Sequence, residues 1–494
     1  MKTFAVSNQA NRQMASGAGA SWHSILRPSV GHGGSAFGGT PPVVSRHEHL
    51  WKTLEEAACW YGLKFIRAEF EWRQFEPEQG QFTWDTGEMK VLHRILGWAQ
   101  RHGADVLLQQ QWPGISWNAF PEFRGDPALE TYSAAFDLDA FAAGWVALLE
   151  ELVNKRGFTC IRWVCLINEP GWWWWHLPQT VLAREGVAKA QQEYLARAAE
   201  VVRKAMDTAG FEKIGIMGPD EADLFEYEDL REMPWFPHVQ DVDFHCYRAL
   251  LDRDAGVKPG YTIDEAATIM RRYAEQARSA GKGFYLTEYG TMANGVGFDN
   301  PGPFHPESLL RDCSLLLRAI MCGADGASRW SFTNRGDVDG QWQMVETWDR
   351  QLKEWKTGTE KFAPVASTLG QFMRHMPQRA FVHEVTGEPV VGLDLVALSD
   401  PQDRAGLNVF LVNSSEASLD TCLNLPGVDD WSCLTILTSD PSSGKTRQFA
   451  ATGSVGITLP KDSVCILTNR PLDPEGPGRM GNNSSRKDCN PRAR

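Results

Sequence analysis

Residues 161–170, IRWVCLINEP, and residues 283–290, GFYLTEYG, decide the fold of this chain of 494 residues. Each stretch is a short apolar run that favours a buried strand, and each ends beside a glutamate. Six similar runs accompany them, starting near Ser24, Lys64, Ala104, Lys213, Asp241 and Gly326. Amphipathic segments with helical spacing lie between the runs. Eight strand-then-helix units over about 350 residues predict a (β/α)8 barrel, an α/β fold.

A doubly wound parallel sheet is the main alternative to the barrel. Such a sheet normally carries the glycine pattern GxGxxG after its first strand, followed by an acidic residue for a ribose. The glycines of GHGGSAFGG at residues 31–39 do not have that spacing, and no acidic residue is placed to accompany them. The barrel is therefore the favoured fold.

The pattern of the chain changes after about Gln378. Short β-rich runs separated by Gly, Pro, Asn and Asp predict an all-β, sandwich-like accessory domain over residues 379–470. The barrel is expected over residues 21–378, after an N-terminal extension at residues 1–20. Residues 471–494 have almost nothing to bury and are expected to be a disordered tail.

Composition excludes several classes of partner. The net charge of −13 argues against nucleic acid and anionic surfaces, because binding phosphates needs clustered Lys and Arg. No run of about 18 apolar residues occurs, so we expect no membrane span. The first 20 residues lack the apolar core of a signal peptide. We therefore expect a cytoplasmic protein, or a secreted one if a signal was removed, and the oligomeric state stays open.

The cysteines and histidines show no metal pattern. Cys160, Cys165, Cys246 and Cys465 sit within apolar runs, where free buried thiols and a reducing compartment are the simplest interpretation. Neither CxxC nor HExxH is present, so we expect no metal and no cofactor. The 20 Trp residues are unusual, and their flat rings suit either a large aromatic core or stacking against sugars.

Two strand-end carboxylates carry the chemical argument. Glu169 follows the fourth predicted strand and Glu288 ends the seventh. These strands lie across the mouth of a barrel from each other, so both side chains are expected to face one cavity. Cleavage of a glycosidic bond needs such a pair, one protonated to assist the leaving oxygen and one ionised beneath the anomeric carbon.

Side chains on other strands fit the same cavity. Arg67 is expected to hold Glu288 ionised, and the phenol of Tyr247 to donate to the same carboxylate. His245 shares a strand face with Tyr247 and is expected to contact Glu169. A structural ion pair for Arg67 and a core position for His245 are the alternatives. Two further binding candidates are Asn168, for a sugar hydroxyl, and Trp330, as the floor of the pocket.

Together these residues resemble glycoside hydrolase clan A, the superfamily of cellulase-like, mannanase-like and β-xylosidase-like barrels. The matching features are Asn168-Glu169-Pro170, His245-x-Tyr247, Glu288, Arg67 and Trp330. The resemblance implies that Glu169 is the acid/base, that Glu288 is the nucleophile, and that anomeric configuration is retained. Gln109, Gln110 and Gln111 occupy the region where cellulase-type members often have a histidine, so the subfamily stays open.

Several tryptophans are candidate sugar platforms. Four of them, Trp172, Trp173, Trp174 and Trp175, directly follow the Asn-Glu-Pro motif. Four consecutive side chains cannot all face a core, so one or two of them, with Trp172 and Trp173 the candidates, are expected to line the cleft or pack its loop. Trp112 and Trp117 follow the third strand, where sugar stacking and core packing are both open.

The favoured function is therefore a retaining β-glycosidase or glycanase acting on an oligosaccharide, polysaccharide or glycoside. A transglycosidase would use the same residues. A non-catalytic carbohydrate-binding barrel would be expected to lack one carboxylate, and both are present. A metal-dependent barrel hydrolase would need a His-x-His strand and an acidic ligand, whereas the one His-x-His pair, His47 and His49 around Glu48, is expected at the start of a helix. The sugar, the linkage and endo or exo action are not readable from the sequence.

Overall fold

The structure is a computed structural model, and it describes most of the chain. The described residues are 1–24, 48–112, 114–171, 177–222, 224, 227–252, 260–290, 305–333, 343–346, 348–349, 354–355, 361–362, 364–427, 430–450 and 453–472. Trp172 and Trp173 lie outside these ranges, as do most residues of the expected C-terminal tail.

Eight parallel strands close into a barrel. In chain order, the barrel strands are Ala18–His23, Phe65–Glu71, Asp105–Trp112, Ile161–Cys165, Gly215–Glu221, Asp241–Cys246, Phe284–Tyr289 and Gly326–Arg329. Each is paired in parallel with its neighbours, and the eighth closes onto the first through the pairing of Ala327 with Ala18. The predicted (β/α)8 barrel is confirmed.

The first barrel strand begins earlier than the sequence indicated. We placed it near Ser24, but it spans Ala18–His23, and residues 25–47 lie outside the described ranges. The strand sequence AGASWH consists mainly of Ala, Gly and Ser, which have little preference for strands. Neighbouring strands and the barrel interior therefore impose this conformation, rather than local propensity.

Helices surround the barrel. The α-helices are Glu48–Tyr61, Gly87–His102, Pro127–Tyr132, Leu138–Leu149, Gln179–Glu185, Val187–Thr208, Ile263–Ser279, Pro306–Cys322 and Leu369–His375. Several of them start with ordinary capping chemistry: the Asp137 side chain accepts a hydrogen bond from the Ala140 N–H at 3.0 Å, and Thr262 with Glu265 forms a capping box. Among the described residues, no helix has the length and apolar composition to cross a bilayer.

Packed side chains fill the lower barrel interior. This layer is formed by Phe65, Leu107, Trp163, Cys165, Met217 and Tyr285. The rings of Phe65, Trp163 and Tyr285 lie with their centroids 5.1–5.8 Å apart in tilted and edge-on contacts. This apolar floor leaves polar side chains to occupy the upper end of the barrel, where the strands terminate.

The second domain is a nine-stranded sheet. Its strands are Lys2–Gln13, Phe381–Gly387, Leu393–Asp400, Asp403–Asn413, Leu419–Asn424, Trp431–Leu437, Asp440–Phe449, Ser454–Leu459 and Ser463–Thr468. Apolar side chains from strands far apart in the sheet order, including Trp431 and Ile457, share one core with Leu411. The sheet therefore folds over itself, in keeping with the expected sandwich-like domain.

The N-terminal segment belongs to this second domain. We expected residues 1–20 to be an extension, but Lys2–Gln13 pairs antiparallel with Phe381–Gly387 and parallel with Leu419–Asn424. Phe4 and Val6 enter the sheet core. The partners of this strand are remote in sequence, so its local pattern gave no sign of the pairing.

Short ladders complete the described structure. Ala249–Leu250 pairs with Tyr261–Thr262, Val345–Glu346 with Lys361–Phe362, and Trp348–Asp349 with Glu354–Trp355.

Candidate active site

Glu169 and Glu288 meet at the upper end of the barrel. Glu288 lies within the seventh barrel strand, and Glu169 lies four positions beyond the end of the fourth. Both side chains are buried, with residue exposures of 6% and 4%. One oxygen of each carboxyl group and a ring nitrogen of His245 lie within 4.8 Å of one another.

Arg67 in the second barrel strand connects the carboxylates. Its guanidinium is fully buried and donates one hydrogen bond to Glu288 Oε1 and another, of 2.9 Å, to Glu69 Oε1. Its other terminal nitrogen donates to Asn168 Oδ1 at 2.7 Å and to Asp220 Oδ2 at 3.0 Å. One fully buried guanidinium thus forms ion pairs with three carboxylates, those of Glu69, Asp220 and Glu288.

Tyr247 follows the sixth barrel strand and contacts the same carboxylate. Its hydroxyl donates to Glu288 Oε2 at 2.6 Å, the hydrogen bond that the sequence predicts. Glu288 therefore accepts hydrogen bonds on both oxygens, one from Arg67 and one from Tyr247. Such donors stabilise a carboxylate anion and fix its orientation.

His245 lies between the two carboxyl groups. Its Nδ1 is 2.8 Å from Glu169 Oε1 and 3.5 Å from Glu288 Oε2. Its Nε2 is 3.1 Å from Asp220 Oδ1. Burial lowers the pKa of His245, but the charges of Glu288 and Asp220 outweigh it and raise the pKa well above its usual value. With an acceptor at each ring nitrogen, the imidazolium form is favoured.

Glu169 has a different environment from Glu288. Burial raises the pKa of Glu169, and the negative charges of Glu288 and Asp220 add to this, against the opposing effect of His245. The backbone of Glu169 lies in the left-handed region, with φ of +47°. Residues other than glycine seldom adopt this backbone conformation, and such strained residues are concentrated at functional sites.

A buried carboxylate in the fifth barrel strand, Asp220, is not among the site residues predicted from the sequence. Asp220 joins Arg67 to His245, and Gln109 Nε2 donates to its Oδ2 at 3.2 Å. Burial raises the pKa of Asp220, but Arg67 and His245 outweigh burial and hold it below its usual range. A signal for it was present, because the predicted strand that starts near Lys213, KIGIMGPD at residues 213–220, ends on Asp220 just as other predicted strands end at Glu169 and Glu288.

Two more acidic residues flank this group. Asp243 accepts hydrogen bonds from the Asp220 N–H at 2.9 Å and from the Thr287 hydroxyl at 3.0 Å, and burial together with the charge of Asp220 raises its pKa. Glu221 accepts from the Gly171 N–H at 3.0 Å, and burial raises its pKa to about 7. Both are stabilised as neutral acids at moderately acidic pH.

The tryptophan predictions have different outcomes. Trp330, directly after the eighth strand, is buried, and its ring stacks on His23 with centroids 6.2 Å apart. Trp117 is half-buried and donates to the Glu76 carbonyl at 3.3 Å. Trp112 ends the third strand, but its side chain lies outside the described structure. Residues 172–175, the four consecutive tryptophans, also lie outside it. The proposed sugar contacts of all these rings stay predictions.

Two groups of described side chains have the spacing of metal ligands, namely Cys165 with Asp220 and Asp243, and Glu169 with His245 and Glu288. In the second group, Glu169 and His245 already form a hydrogen bond with each other. The Arg67 guanidinium contacts one carboxylate in each group, Asp220 in the first and Glu288 in the second. A cation in that position satisfies the negative charges that a metal ion would otherwise neutralise. The donor atoms thus fit an ion-paired carboxylate site.

The architecture defines a class of protein, a parallel (β/α)8 barrel with a companion β-sheet domain and paired carboxylates at the barrel mouth. No protein-family model and no curated protein matches the sequence. Solved structures do match. One is a glycoside hydrolase family 30 subfamily 8 xylanase from Clostridium acetobutylicum, with 13% identity and a TM-score of 0.62 over 94% of this chain and 99% of that chain.

Two other structural neighbours have different stated activities. An endo-β-1,6-glucanase has 14% identity and a TM-score of 0.62 over 94% of this chain and 93% of that chain. An α-L-arabinofuranosidase from Thermotoga maritima has 12% identity and a TM-score of 0.61 over 95% of this chain and 99% of that chain. The (β/α)8 barrel that this chain shares with these structures is the fold that its sequence resemblance to glycoside hydrolase clan A implies. At these identities the likeness establishes a shared fold.

Proposed function

We propose that this protein is a retaining glycoside hydrolase that cleaves β-glycosidic bonds, with Glu169 as acid/base and Glu288 as nucleophile. The observation that carries the proposal is the pair of carboxyl groups in one buried site, with oxygens within 4.8 Å of each other. Retaining enzymes hold the two groups about 5–5.5 Å apart, whereas inverting enzymes leave about 6.5–9.5 Å for a water molecule.

The unequal environments of the two groups support their separate roles. Burial raises the pKa of Glu169, which favours the protonated form that an acid catalyst needs. Glu288 instead accepts hydrogen bonds from Arg67 and Tyr247, which favour an anion and direct its oxygens. Each group is thus supported in the protonation state that its role requires.

In the first step, Glu288 attacks the anomeric carbon while Glu169 gives its proton to the leaving oxygen. The glycosidic C–O bond breaks as the bond to the Glu288 oxygen forms, and a covalent glycosyl-enzyme results. The negative charge of Glu288 disappears in this step. Arg67 and Tyr247 remain positioned to interact with the ester oxygens.

In the second step, Glu169 acts as a base. The charge of Glu288 contributes to the raised pKa of Glu169, so its loss on glycosylation lowers that pKa. The ionised Glu169 then takes a proton from water, which attacks the anomeric carbon and releases Glu288. Two displacements at the same carbon give net retention of configuration.

The first experiment is a screen of aryl β-glycosides and β-glucans, to which we add xylan, β-1,6-glucan and α-L-arabinofuranosides because of the structural neighbours. Proton NMR of the first product formed distinguishes retention from inversion. A 2-deoxy-2-fluoro glycoside of the preferred sugar is expected to label Glu288, as detected by peptide mass spectrometry.

The alternatives give different results in the same screen. Transfer to an added sugar acceptor in preference to water would identify a transglycosidase that uses the same residues. Saturable binding of glycans without turnover would favour a non-catalytic carbohydrate-binding barrel. A product of inverted configuration, or a label on another residue, would contradict the assignment of Glu288.

A further inference from the structure

Asp220 contacts both cationic side chains of the site. It lies in the fifth barrel strand, with a residue exposure of 0%. Its Oδ2 accepts from Arg67 at 3.0 Å, and its Oδ1 lies 3.1 Å from His245 Nε2. Arg67 in turn donates to Glu288, and the other ring nitrogen of His245 contacts Glu169. One carboxylate therefore connects to both candidate catalytic groups through one intermediate side chain each.

The backbone of Asp220 supports Glu169 directly. The Glu169 N–H donates to the Asp220 carbonyl at 3.0 Å. Asp220 has φ of +56° and Glu169 has φ of +47°, so two left-handed residues are joined by this hydrogen bond. Left-handed backbone at a bulky residue persists only where surrounding contacts hold it. The Asp243 carboxyl supplies one such contact, because it accepts from the Asp220 N–H at 2.9 Å.

The charges around Asp220 and His245 come from every element packed against them. The titratable and charged groups that face this pair are Arg67, Cys165, Glu169, Glu221, Asp243, Tyr247 and Glu288. Arg67 is the other cation of the group, and it is shared with Glu69 and Glu288. Without the Asp220 charge, His245 would face Glu169 and Glu288 on one side and an uncharged group on the other.

We propose that Asp220 is a positioning residue for the retaining reaction: it holds Arg67 against Glu288 and keeps His245 as an imidazolium against Glu169. This inference rests on the proposed function. In the described structure the Asp220 carboxylate hydrogen-bonds to Arg67 and His245, and to neither candidate catalytic carboxyl group. Its role is to fix the cations that orient the two carboxyl groups, so its loss should affect kcat more than KM.

The first test needs no substrate. In protein labelled with ¹⁵N-histidine, the ring signals of His245 can be assigned among the 12 histidines by comparison with His245→Gln. Wild-type His245 is expected to carry protons on both ring nitrogens at pH 7, and in Asp220→Asn it is expected to titrate at a lower pH. A neutral His245 ring in the wild-type protein at pH 7 would overturn the proposal.

The second test compares two buried aspartates. Asp220→Asn should lower kcat by about 10- to 100-fold, the size found for outer residues that orient a site, with KM changed by less than about threefold. Asp394→Asn is the matched control, because Asp394 is also buried and paired with an arginine. Asp394 lies in the second domain, in the strand Leu393–Asp400, and its partner Arg318 lies in the barrel helix Pro306–Cys322. The control should lose stability but keep kcat and its pH profile.

The outcomes separate the two proposals. A folded Asp220→Asn protein with wild-type kcat and pH profile would overturn the role of Asp220, as would an equal loss of kcat in Asp394→Asn. If Asp220→Asn does not fold, the wild-type histidine spectrum decides. If the wild-type protein is inactive on every glycoside, the proposed function is contradicted. The histidine spectrum still reports on the contact of Asp220 with His245 in that case.

Discussion

Replacing Glu169 by alanine should make the rate depend on the leaving group of the substrate. The change removes the proposed proton donor but leaves Glu288 with its contacts to Arg67 and Tyr247. His245 keeps Asp220 and Glu288 as partners, so the site should remain folded. The first displacement is then slowed only where departure of the leaving group requires a proton.

The size of the loss follows from what could replace Glu169. General acid catalysis is worth about 10²–10⁴-fold, or about 3–5 kcal/mol of barrier at 1.36 kcal/mol for each factor of ten. Glu221 is a neighbouring carboxyl with a raised pKa, but its oxygens accept from the Gly171 N–H and from the Tyr227 hydroxyl at 3.0 and 3.3 Å. Because these contacts engage its carboxyl group, we do not expect Glu221 to replace Glu169 as the proton donor. The rate on an alkyl glycoside should therefore fall by a factor near the upper end of that range.

The assay uses two substrates and one external nucleophile. On a dinitrophenyl glycoside, whose leaving group departs without a proton, the first step of Glu169→Ala should be nearly normal and should appear as a burst. The second step should be slow, because no base activates water. Azide should restore turnover and give a glycosyl azide of retained configuration. Equal losses on both substrates, with no effect of azide, would refute the assignment of Glu169.

Three further predictions concern neighbouring residues. Glu288→Ala should abolish nearly all turnover on both substrates, and any azide product should have inverted configuration; NMR of the product checks this. Tyr247→Phe removes one hydrogen bond to a charged group, worth about 1.5–3 kcal/mol, so kcat/KM should fall by about 10- to 100-fold. The urea midpoint should fall as well, because the same contact is present in the folded protein without substrate. Burial raises the pKa of Glu221 from 4.5 to about 7, so its neutral form stabilises the fold at low pH and about 3 kcal/mol is lost as pH rises between about 4.5 and 7. Glu221→Gln should remove that part of the pH dependence of the free energy of unfolding, and an unchanged dependence would contradict it.

The sequence predicted those parts of the site that sit at the ends of strongly apolar strands. IRWVCLINEP and GFYLTEYG have clear boundaries. Because the carboxyl ends of parallel barrel strands meet at one end of the barrel, these boundaries place Glu169 and Glu288 at that end. The period of two along the sixth strand predicted that His245 and Tyr247 approach the same carboxyl groups, and their contacts agree with it. Their chemical roles stay predictions.

Other parts depend on contacts between distant segments and were not predictable. AGASWH becomes a barrel strand because two neighbours pair with it, although its residues have little strand preference. Asp220 shares the strand-end position of the two glutamates, but its role as a link appears only when Arg67 and His245 are brought to it. Sequence periodicity carries no information on such convergence.

The strand at the N-terminus has a consequence for how the protein is made. Lys2 donates to Glu388 at 2.9 Å, although the two residues lie 386 positions apart. At roughly 5–20 residues per second, a ribosome needs about 20–80 s to supply the partner after the first strand has emerged. During that time Phe4 and Val6 have no sheet core to enter. The nascent chain therefore carries an unpaired strand with two exposed apolar side chains until its partner strands, Phe381–Gly387 and Leu419–Asn424, have been made.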